Sequence, residues 1–238
     1  MNFSEKHKVV WLAPERCATK LVCEIFKNYD FSIYFSEKTE TKSLLDSYHS
    51  HSMYIPKDYN DYEVICSMRN PYDRVLSVFV NLTRLGNDTV FTKKTKNNFQ
   101  IRFESFLNEI FELPYVKNLE NNLERFPVFN TYITKLRFEN KIPNKFIRME
   151  NLKEDLNDLK FLKNSTRWVS GEFEDLIRKN RFINRRAYSF DEVYTIDSAK
   201  KVYDFYQNIF YLCDYDPFSF TKEKLSDEMK KNFLRGII

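Results

Sequence analysis

Two short apolar runs, each followed at once by a turn and a helical pattern, constrain the fold of this 238-residue chain most. The first is Lys8–Ala13 (KVVWLA), after which residues 19–28 show apolar positions spaced as on one helix face. The second is Val64–Met68 (VICSM), which leads directly into an Arg-Asn-Pro turn at residues 69–71. Short apolar runs bounded by turn signals are typical of buried strands. The sequence therefore predicts two strand–turn–helix units.

The helix after the second run has clear start signals: Asn70 is a good N-cap, Pro71 suits the first helical position, and Asp73 completes a capping pattern. Strands that alternate with helices predict an α/β fold with a central, mainly parallel sheet flanked by helices. Such sheets bind ligands beyond the carboxyl ends of their strands, where both turns fall. The other predicted elements are a strand at Lys145–Arg148 and helices at Phe103–Leu113, Asn151–Leu162, Phe173–Lys179, Ser198–Tyr211 and Lys222–Leu234.

Length and charge indicate one domain with a mild preference for anions. The length fits a single domain over residues 1–238, in which the polar stretch Thr83–Gln100 is expected to be a mobile insertion near the site. The net charge of +4 suits a pocket for a multiply charged anion. We expect no nucleic-acid partner, because this excess is well short of that of a protein that coats DNA.

The cysteines and the apolar segments indicate the compartment. The chain has 4 cysteines and no CxxC pair, which argues against a zinc site and favours buried free thiols in a reducing compartment. No apolar segment approaches the roughly 18 residues of a membrane span, and Met1–Lys8 lacks the apolar region of a signal peptide. These features predict a cytoplasmic protein without a membrane span.

The turn after the first run, Pro14–Lys20 (PERCATK), carries the residues of an anion site. Backbone N–H groups and the helix dipole at a helix N-terminus favour an anion, and Arg16, Thr19 and Lys20 add donors. A plain turn with solvated charges is the alternative that this loop alone leaves open. The loop lacks the glycines of GxxxxGK[ST] and a Ser or Thr after Lys20, which disfavours kinase or NTPase chemistry.

The second turn offers another anion site. Arg69 ends the second strand, and Ser77 lies about two turns into the following helix. A guanidinium and a hydroxyl can share one phosphate, with the arginine giving a bidentate contact. The alternative is that Arg69 pairs with an acid such as Asp73 and that Ser77 is incidental.

The two turns together resemble the sulfotransferases that use 3′-phosphoadenosine 5′-phosphosulfate (PAPS), especially their compact carbohydrate-type branch. Those enzymes hold the 3′-phosphate with the first Arg and the final Ser of an R-[DN]-P-x-x-R-x-x-S segment, which Arg69–Ser77 (RNPYDRVLS) matches at every fixed position. In their first loop a basic residue precedes Gly and Thr, whereas here Arg16 is followed by Cys17 and Ala18. Two later segments, residues 144–156 and 194–215, are also similar to the family.

The resemblance implies a P-loop-like three-layer α/β fold, no metal, and transfer of a sulfuryl group from PAPS to an acceptor hydroxyl, with a carbohydrate as the first choice. It implies Arg16 as the catalytic cation, assisted by Lys20. It also suggests a basic loop at Arg185 and Arg186 that closes over the nucleotide, for which a solvated pair is the alternative. The residues expected to bind the nucleotide are Arg16, Cys17, Ala18, Thr19, Lys20, Arg69, Ser77, Arg185 and Arg186.

The resemblance also names two candidates for the base that accepts the acceptor's proton. The carbohydrate branch has a Tyr-His-x-His similar to residues 48–51, so His51 is the first candidate and His49 its helper. Glu37 is the rival, since protein-tyrosine sulfotransferases place a Glu base at a comparable distance after the first loop. The alternative is that the histidines lie on the surface and the acids in a solvated loop, without a catalytic role.

Two other functional classes stay open at the level of sequence. One is a P-loop nucleotide kinase-like enzyme, which the missing GK[ST] disfavours. The other is a non-catalytic protein that binds polyanions or nucleotides, including an inactive sulfotransferase-like module. A polyanion binder predicts steeply salt-dependent binding without a preference for PAPS.

Overall fold

The structure, a computed structural model, describes residues 2–14, 16–27, 29–35, 38–43, 55–85, 96–111, 141–163, 175 and 190–235. The chain divides into two compact units, one formed by residues 1–69 and 132–185 and the other by residues 70–131 and 186–238. The boundary between Arg69 and Asn70 falls inside the second predicted turn. The prediction of one functional domain stays a prediction.

The first unit contains a six-stranded sheet. Its strands are β1 Asn2–Ser4, β2 Val9–Leu12, β3 Ser32–Phe35, β4 Lys38–Ser43, β5 Glu63–Met68 and β6 Lys145–Arg148. They lie in the order β4-β3-β1-β2-β5-β6. Strands β2, β5 and β6 are parallel, whereas β1 pairs antiparallel with β2 and β3, and β3 with β4. The α/β class is confirmed. The prediction of a mainly parallel sheet is correct for β2, β5 and β6 but wrong for the other half, where β1, β3 and β4 form antiparallel pairs.

Strand β1 was not predicted because its residues are mostly polar. Asn2 and Ser4 are nevertheless buried, on either side of the buried Phe3. The Asn2 amide donates to the Trp11 carbonyl at 3.1 Å, and the Ser4 hydroxyl donates to the Tyr29 carbonyl at 3.3 Å. Backbone carbonyl groups of neighbouring segments thus offset the cost of burying these polar side chains.

Three helices of the first unit pack on one face of its sheet. The helices described in the chain are α1 Thr19–Phe26, α2 Pro71–Leu85, α3 Lys96–Phe111, α4 Leu152–Asn157, α5 Lys160–Lys163, α6 Ile196–Leu212 and α7 Asp227–Leu234. Trp11 on β2 lies beside Ile65 on β5, and alternation along the strands places both on the face that α1, α4 and α5 cover. The buried hydroxyl of Ser67, on the same face, accepts a 2.8 Å hydrogen bond from the Trp11 indole.

The second unit contains α2, α3, α6 and α7 around an aromatic core. Phe79 on α2 lies 5.1–5.4 Å from the rings of Phe99, Phe103 and Phe106 on α3. Aromatic pairs at these separations stabilise beyond their buried area. The unit's other buried aromatic side chains include Tyr72, Tyr194, Tyr206, Phe210, Phe220 and Phe233.

The helix starts were predicted better than the helix lengths. Asn70 caps α2 as predicted, since its side-chain oxygen accepts from the Tyr72 N–H at 3.0 Å. The helices on either side of the predicted insertion are longer than expected, so that of Thr83–Gln100 only residues 86–95 lie outside the described residues. The single helix expected at Asn151–Leu162 is two short helices, which separate at Asp158 and Leu159. The helix expected at Phe173–Lys179 lies outside the described residues except for residue 175.

Candidate anion-binding site

The first predicted anion loop lies where expected, between β2 and α1. Ala18 is the N-cap of α1 and has left-handed backbone angles, φ 51° and ψ 30°. Arg16 also has a positive φ, 65°. Left-handed backbone costs an L-residue roughly 1–2 kcal/mol, because its Cβ crowds the following carbonyl oxygen. The loop therefore has a glycine-like backbone shape without containing glycine.

Hydrogen bonds inside this loop hold its shape. The Pro14 carbonyl accepts from the Cys17 N–H at 3.4 Å and from the Thr19 hydroxyl at 3.1 Å. Cys17 and Thr19 are buried, whereas Lys20 is exposed. In this conformation the Thr19 hydroxyl donates its hydrogen bond within the loop. Among the predicted donors, Arg16 and Lys20 are those whose side chains reach solvent.

The N-terminus of α1 adds a local positive potential. No described side chain caps it, and its first turn holds no acidic residue. The Leu21 and Val22 N–H groups both donate to the Ala18 carbonyl, at 2.9 and 3.1 Å. The earliest N–H groups of a helix have no intrahelical acceptor, and the helix dipole makes this end attractive to anions. Alone, this feature is common to many turns between a strand and a helix.

Arg69 joins the second predicted turn to this loop. It follows β5, whose Cys66 lies beside Leu12 of the parallel strand β2. The Arg69 Nη1 donates to the Arg16 carbonyl oxygen at 3.3 Å. Because the two strands are parallel neighbours, their carboxyl ends meet at one edge of the sheet. The structure thus brings Arg16 of the first predicted turn and Arg69, which opens the second, into one place, both half-buried.

The rest of the Arg69–Ser77 segment lies on α2, in the second unit. Arg74 is 1% exposed and Ser77 is 5% exposed. Residues three apart on a helix are neighbours on one face, so both side chains belong to the buried face of α2. Asn70 uses its amide to donate to the Ser219 hydroxyl at 2.9 Å. Arg69 and Ser77 belong to different units, and their shared contact with one phosphate stays a prediction.

Tyr72, inside the same segment, is unsuited to act as a base. Its hydroxyl donates to the Pro217 carbonyl at 2.7 Å, and its ring is buried. Burial raises the pKa of the Tyr72 phenol well above its ordinary range, with nearby Tyr203 and Asp216 adding to the shift. The hydroxyl therefore stays protonated and serves as a hydrogen-bond donor.

A third turn at the same edge of the sheet is held by an ion pair that sequence reasoning did not single out. Arg148, the last residue of β6, meets Asp155 of α4 through two side-chain bonds, Nη2 to Oδ1 at 2.7 Å and Nε to Oδ2 at 3.0 Å. The Arg148 backbone N–H donates to the same carboxylate at 2.7 Å. Such bidentate pairs are strong and geometrically specific. The pair lies within residues 144–156 and holds the end of β6 to α4.

The remaining predicted site residues lie outside the described residues. They are Glu37, His49, His51, Arg185 and Arg186. Their roles stay predictions, as does the expectation of a reaction without a metal. The four cysteines, all of them described, are buried and free, as predicted.

Comparisons of this chain with protein-family models, with curated proteins and with solved structures find no match. Among the helices that the structure describes, none combines the length and the apolar character needed to cross a membrane.

Proposed function

We propose that the chain is a PAPS-dependent sulfotransferase with a P-loop-like three-layer fold, which transfers a sulfuryl group to an acceptor hydroxyl on a carbohydrate. The observation that carries the proposal is the 3.3 Å hydrogen bond from Arg69 Nη1 to the Arg16 carbonyl. It joins two turns that were assigned separately to the two ends of one nucleotide. The parallel neighbours β2 and β5 bring both turns to one edge of the sheet, as a single nucleotide would require.

Features of the loop between β2 and α1 support its assignment to the 5′-phosphosulfate. Its left-handed residues, Arg16 and Ala18, bend the backbone ahead of the helix. The uncapped N-terminus of α1 and the exposed Lys20 supply positive charge at the same point. In the proposed assignment this loop holds the 5′-phosphosulfate, and Arg69 and Ser77 contribute to binding the 3′-phosphate.

The proposed reaction is an in-line displacement at sulfur. The acceptor oxygen forms a new O–S bond while the bond from sulfur to the 5′-phosphate oxygen breaks, and the nucleotide bisphosphate leaves. Negative charge grows on the leaving oxygen, where a fixed cation such as Arg16, with Lys20 beside it, lowers the barrier. The hydroxyl proton passes to a base, for which His51 is the first candidate and Glu37 the second.

Calorimetric titration tests the nucleotide assignment. We expect 3′-phosphoadenosine 5′-phosphate to bind at least tenfold more tightly than adenosine 5′-phosphate, because only the former carries the 3′-phosphate. Equal affinities would overturn the proposal and favour a general nucleotide binder. Binding that collapses with salt for every polyanion, without this preference, would favour the polyanion-binding alternative.

Arg69→Ala tests the residue that carries the proposal. It should weaken binding of the bisphosphate by roughly 10- to 100-fold, since hydrogen bonds to charged groups contribute about 1.5–3 kcal/mol. Arg102→Ala, which removes an exposed arginine from α3, is the matched control and should leave affinity unchanged. Equal losses in both variants would reduce the effect to net charge.

Turnover of labelled PAPS over a panel of carbohydrate acceptors tests the chemistry. A rate that persists in His51→Ala and falls in Glu37→Ala would transfer the role of base to Glu37. Tight binding of the bisphosphate without turnover on any acceptor class would identify an inactive sulfotransferase-like module.

A further inference from the structure

Arg74 is the most deeply buried charged side chain among the described residues, at 1% exposure. An ionised group in such a place is stable only where its donors are satisfied. Its Nη1 donates to the hydroxyl of Tyr206 on α6 at 3.2 Å, and Tyr206 is itself 2% exposed. The pair links α2 to α6 through a charge-assisted hydrogen bond that water does not reach.

Tyr206 lies at a break in α6. Its backbone angles, φ −113° and ψ 20°, depart from helical values within an otherwise continuous helix. Kinks in helices have local causes, and here the residue at the kink is the one that receives the Arg74 bond. The α6 backbone is therefore displaced from regular geometry at the position where its tyrosine meets α2.

Other polar contacts hold the first turns of α2 to the C-terminal part of the same unit. Asn70 donates to the Ser219 hydroxyl at 2.9 Å, and the Tyr72 hydroxyl donates to the Pro217 carbonyl at 2.7 Å. The Tyr194 hydroxyl donates to the Tyr72 carbonyl at 3.0 Å. Together with Arg74, these bonds fix both the position and the rotation of α2.

Ser77 follows Arg74 by one helical turn on the same buried face. Because a helix is rigid over one turn, the bond that fixes Arg74 also fixes the direction of Ser77. We propose that Arg74 and Tyr206 are positioning residues for recognition of the 3′-phosphate: they orient Ser77 without touching the nucleotide. The identity of the ligand rests on the proposed function. The orientation of Ser77 by Arg74 and Tyr206 does not depend on it.

Tyr206→Phe is the sharpest test, because it removes one hydroxyl and keeps the ring. The measurement is the ratio of the dissociation constants of adenosine 5′-phosphate and 3′-phosphoadenosine 5′-phosphate. We expect this ratio to fall roughly tenfold, since misplacing Ser77 weakens only the ligand that carries a 3′-phosphate. Tyr203→Phe, on the same helix with its ring against Phe210 and Phe233, should leave the ratio unchanged.

A ratio that stays at the wild-type value in Tyr206→Phe would overturn the inference, as would an equal fall in both variants. A merely stabilising role would lower the unfolding midpoint without moving this ratio.

Amide hydrogen exchange without ligand tests separately whether the bond between Arg74 and Tyr206 restrains α2. The amides of residues 72–77 should exchange faster in Tyr206→Phe than in Tyr203→Phe, because α2 loses a restraint. Equal protection in the two variants would overturn the positioning role. If the exchange difference appears but the wild type shows no preference for the 3′-phosphate, the proposed function fails and the assignment of Arg74 to this ligand fails with it.

Discussion

Two residues at the start of α1 have backbone angles that their side chains do not favour. Arg16 and Ala18 both have positive φ, in a loop where the chain has no glycine to relieve the crowding. Strain of this kind persists only where the surroundings determine the conformation, and it is concentrated at functional sites. Here the surroundings are the Pro14 carbonyl, which binds two donors, and Arg69, which holds the Arg16 carbonyl.

Ala18→Gly should therefore stabilise the protein. Relief of the left-handed strain, about 1–2 kcal/mol, exceeds the added chain entropy of glycine, about 0.5–1 kcal/mol. We expect a net gain of about 0.5–1 kcal/mol in the free energy of unfolding, measured by urea denaturation. Ala199→Gly, within the first turns of α6, is the matched control and should cost about 1 kcal/mol. A loss at residue 18 as large as that at residue 199 would contradict the assignment of strain.

At the scale of single elements, Asn70 does two jobs at the start of α2. Its oxygen caps the helix through the Tyr72 N–H, and its amide nitrogen donates to the Ser219 hydroxyl. Ser226 caps α7 with a single bond to the Met229 N–H at 3.2 Å, in an exposed position. Comparison of the two caps measures how much the hydrogen bond from Asn70 to Ser219 contributes to the free energy of unfolding.

Asn70→Ala should destabilise the protein by roughly 1–2 kcal/mol, more than Ser226→Ala, because loss of a cap costs about 1 kcal/mol and here the half-buried Ser219 hydroxyl also loses a partner. Asn70→Asp keeps a capping oxygen, removes the amide donor to Ser219 and adds a negative charge that the helix N-terminus favours, so its cost should be smaller than that of Asn70→Ala. Urea midpoints of the three variants give the order. Equal costs for Asn70→Ala and Ser226→Ala would mean that the Ser219 contact contributes nothing.

Sequence patterns predicted the elements whose signals are local. The apolar runs at β2 and β5, the helical stripe of α1 and the capping residues of α2 all follow from neighbouring residues, and the structure confirms them. Strand β1 was not predicted, because the partners that allow Asn2 and Ser4 to be buried lie further along the chain. The same holds for the contact between Arg69 and Arg16 and for that between Arg74 and Tyr206, 132 residues apart. The spacing of residues in the sequence does not predict such long-range hydrogen bonds.

At the scale of the whole chain, the two units have different kinds of core. The first is built on a sheet whose apolar face, which includes Trp11, meets α1, α4 and α5, and the second on aromatic rings that pack tilted or edge-to-face between helices. The predicted nucleotide residues are divided in sequence by the boundary after Arg69.

His7 should give the unfolding of the chain a measurable pH dependence. Its ring stacks on Phe161 at 5.2 Å and lies 6.5 Å from Tyr29, contacts that connect distant parts of the sequence. Burial lowers the pKa of His7, Lys6 lowers it further, and Asp30 opposes the shift. Folding therefore favours the neutral ring, so this contribution is complete above the unfolded pKa of about 6.5 and is lost as the pH falls through the folded value. We expect the urea midpoint of the wild type to fall between pH 7.5 and 5.5 more than that of His7→Phe, which keeps a ring against Phe161 but cannot be protonated. His49 and His51 are present in both proteins, so the comparison isolates His7. Urea midpoints that change equally with pH in the two proteins would show that His7 does not couple protonation to folding.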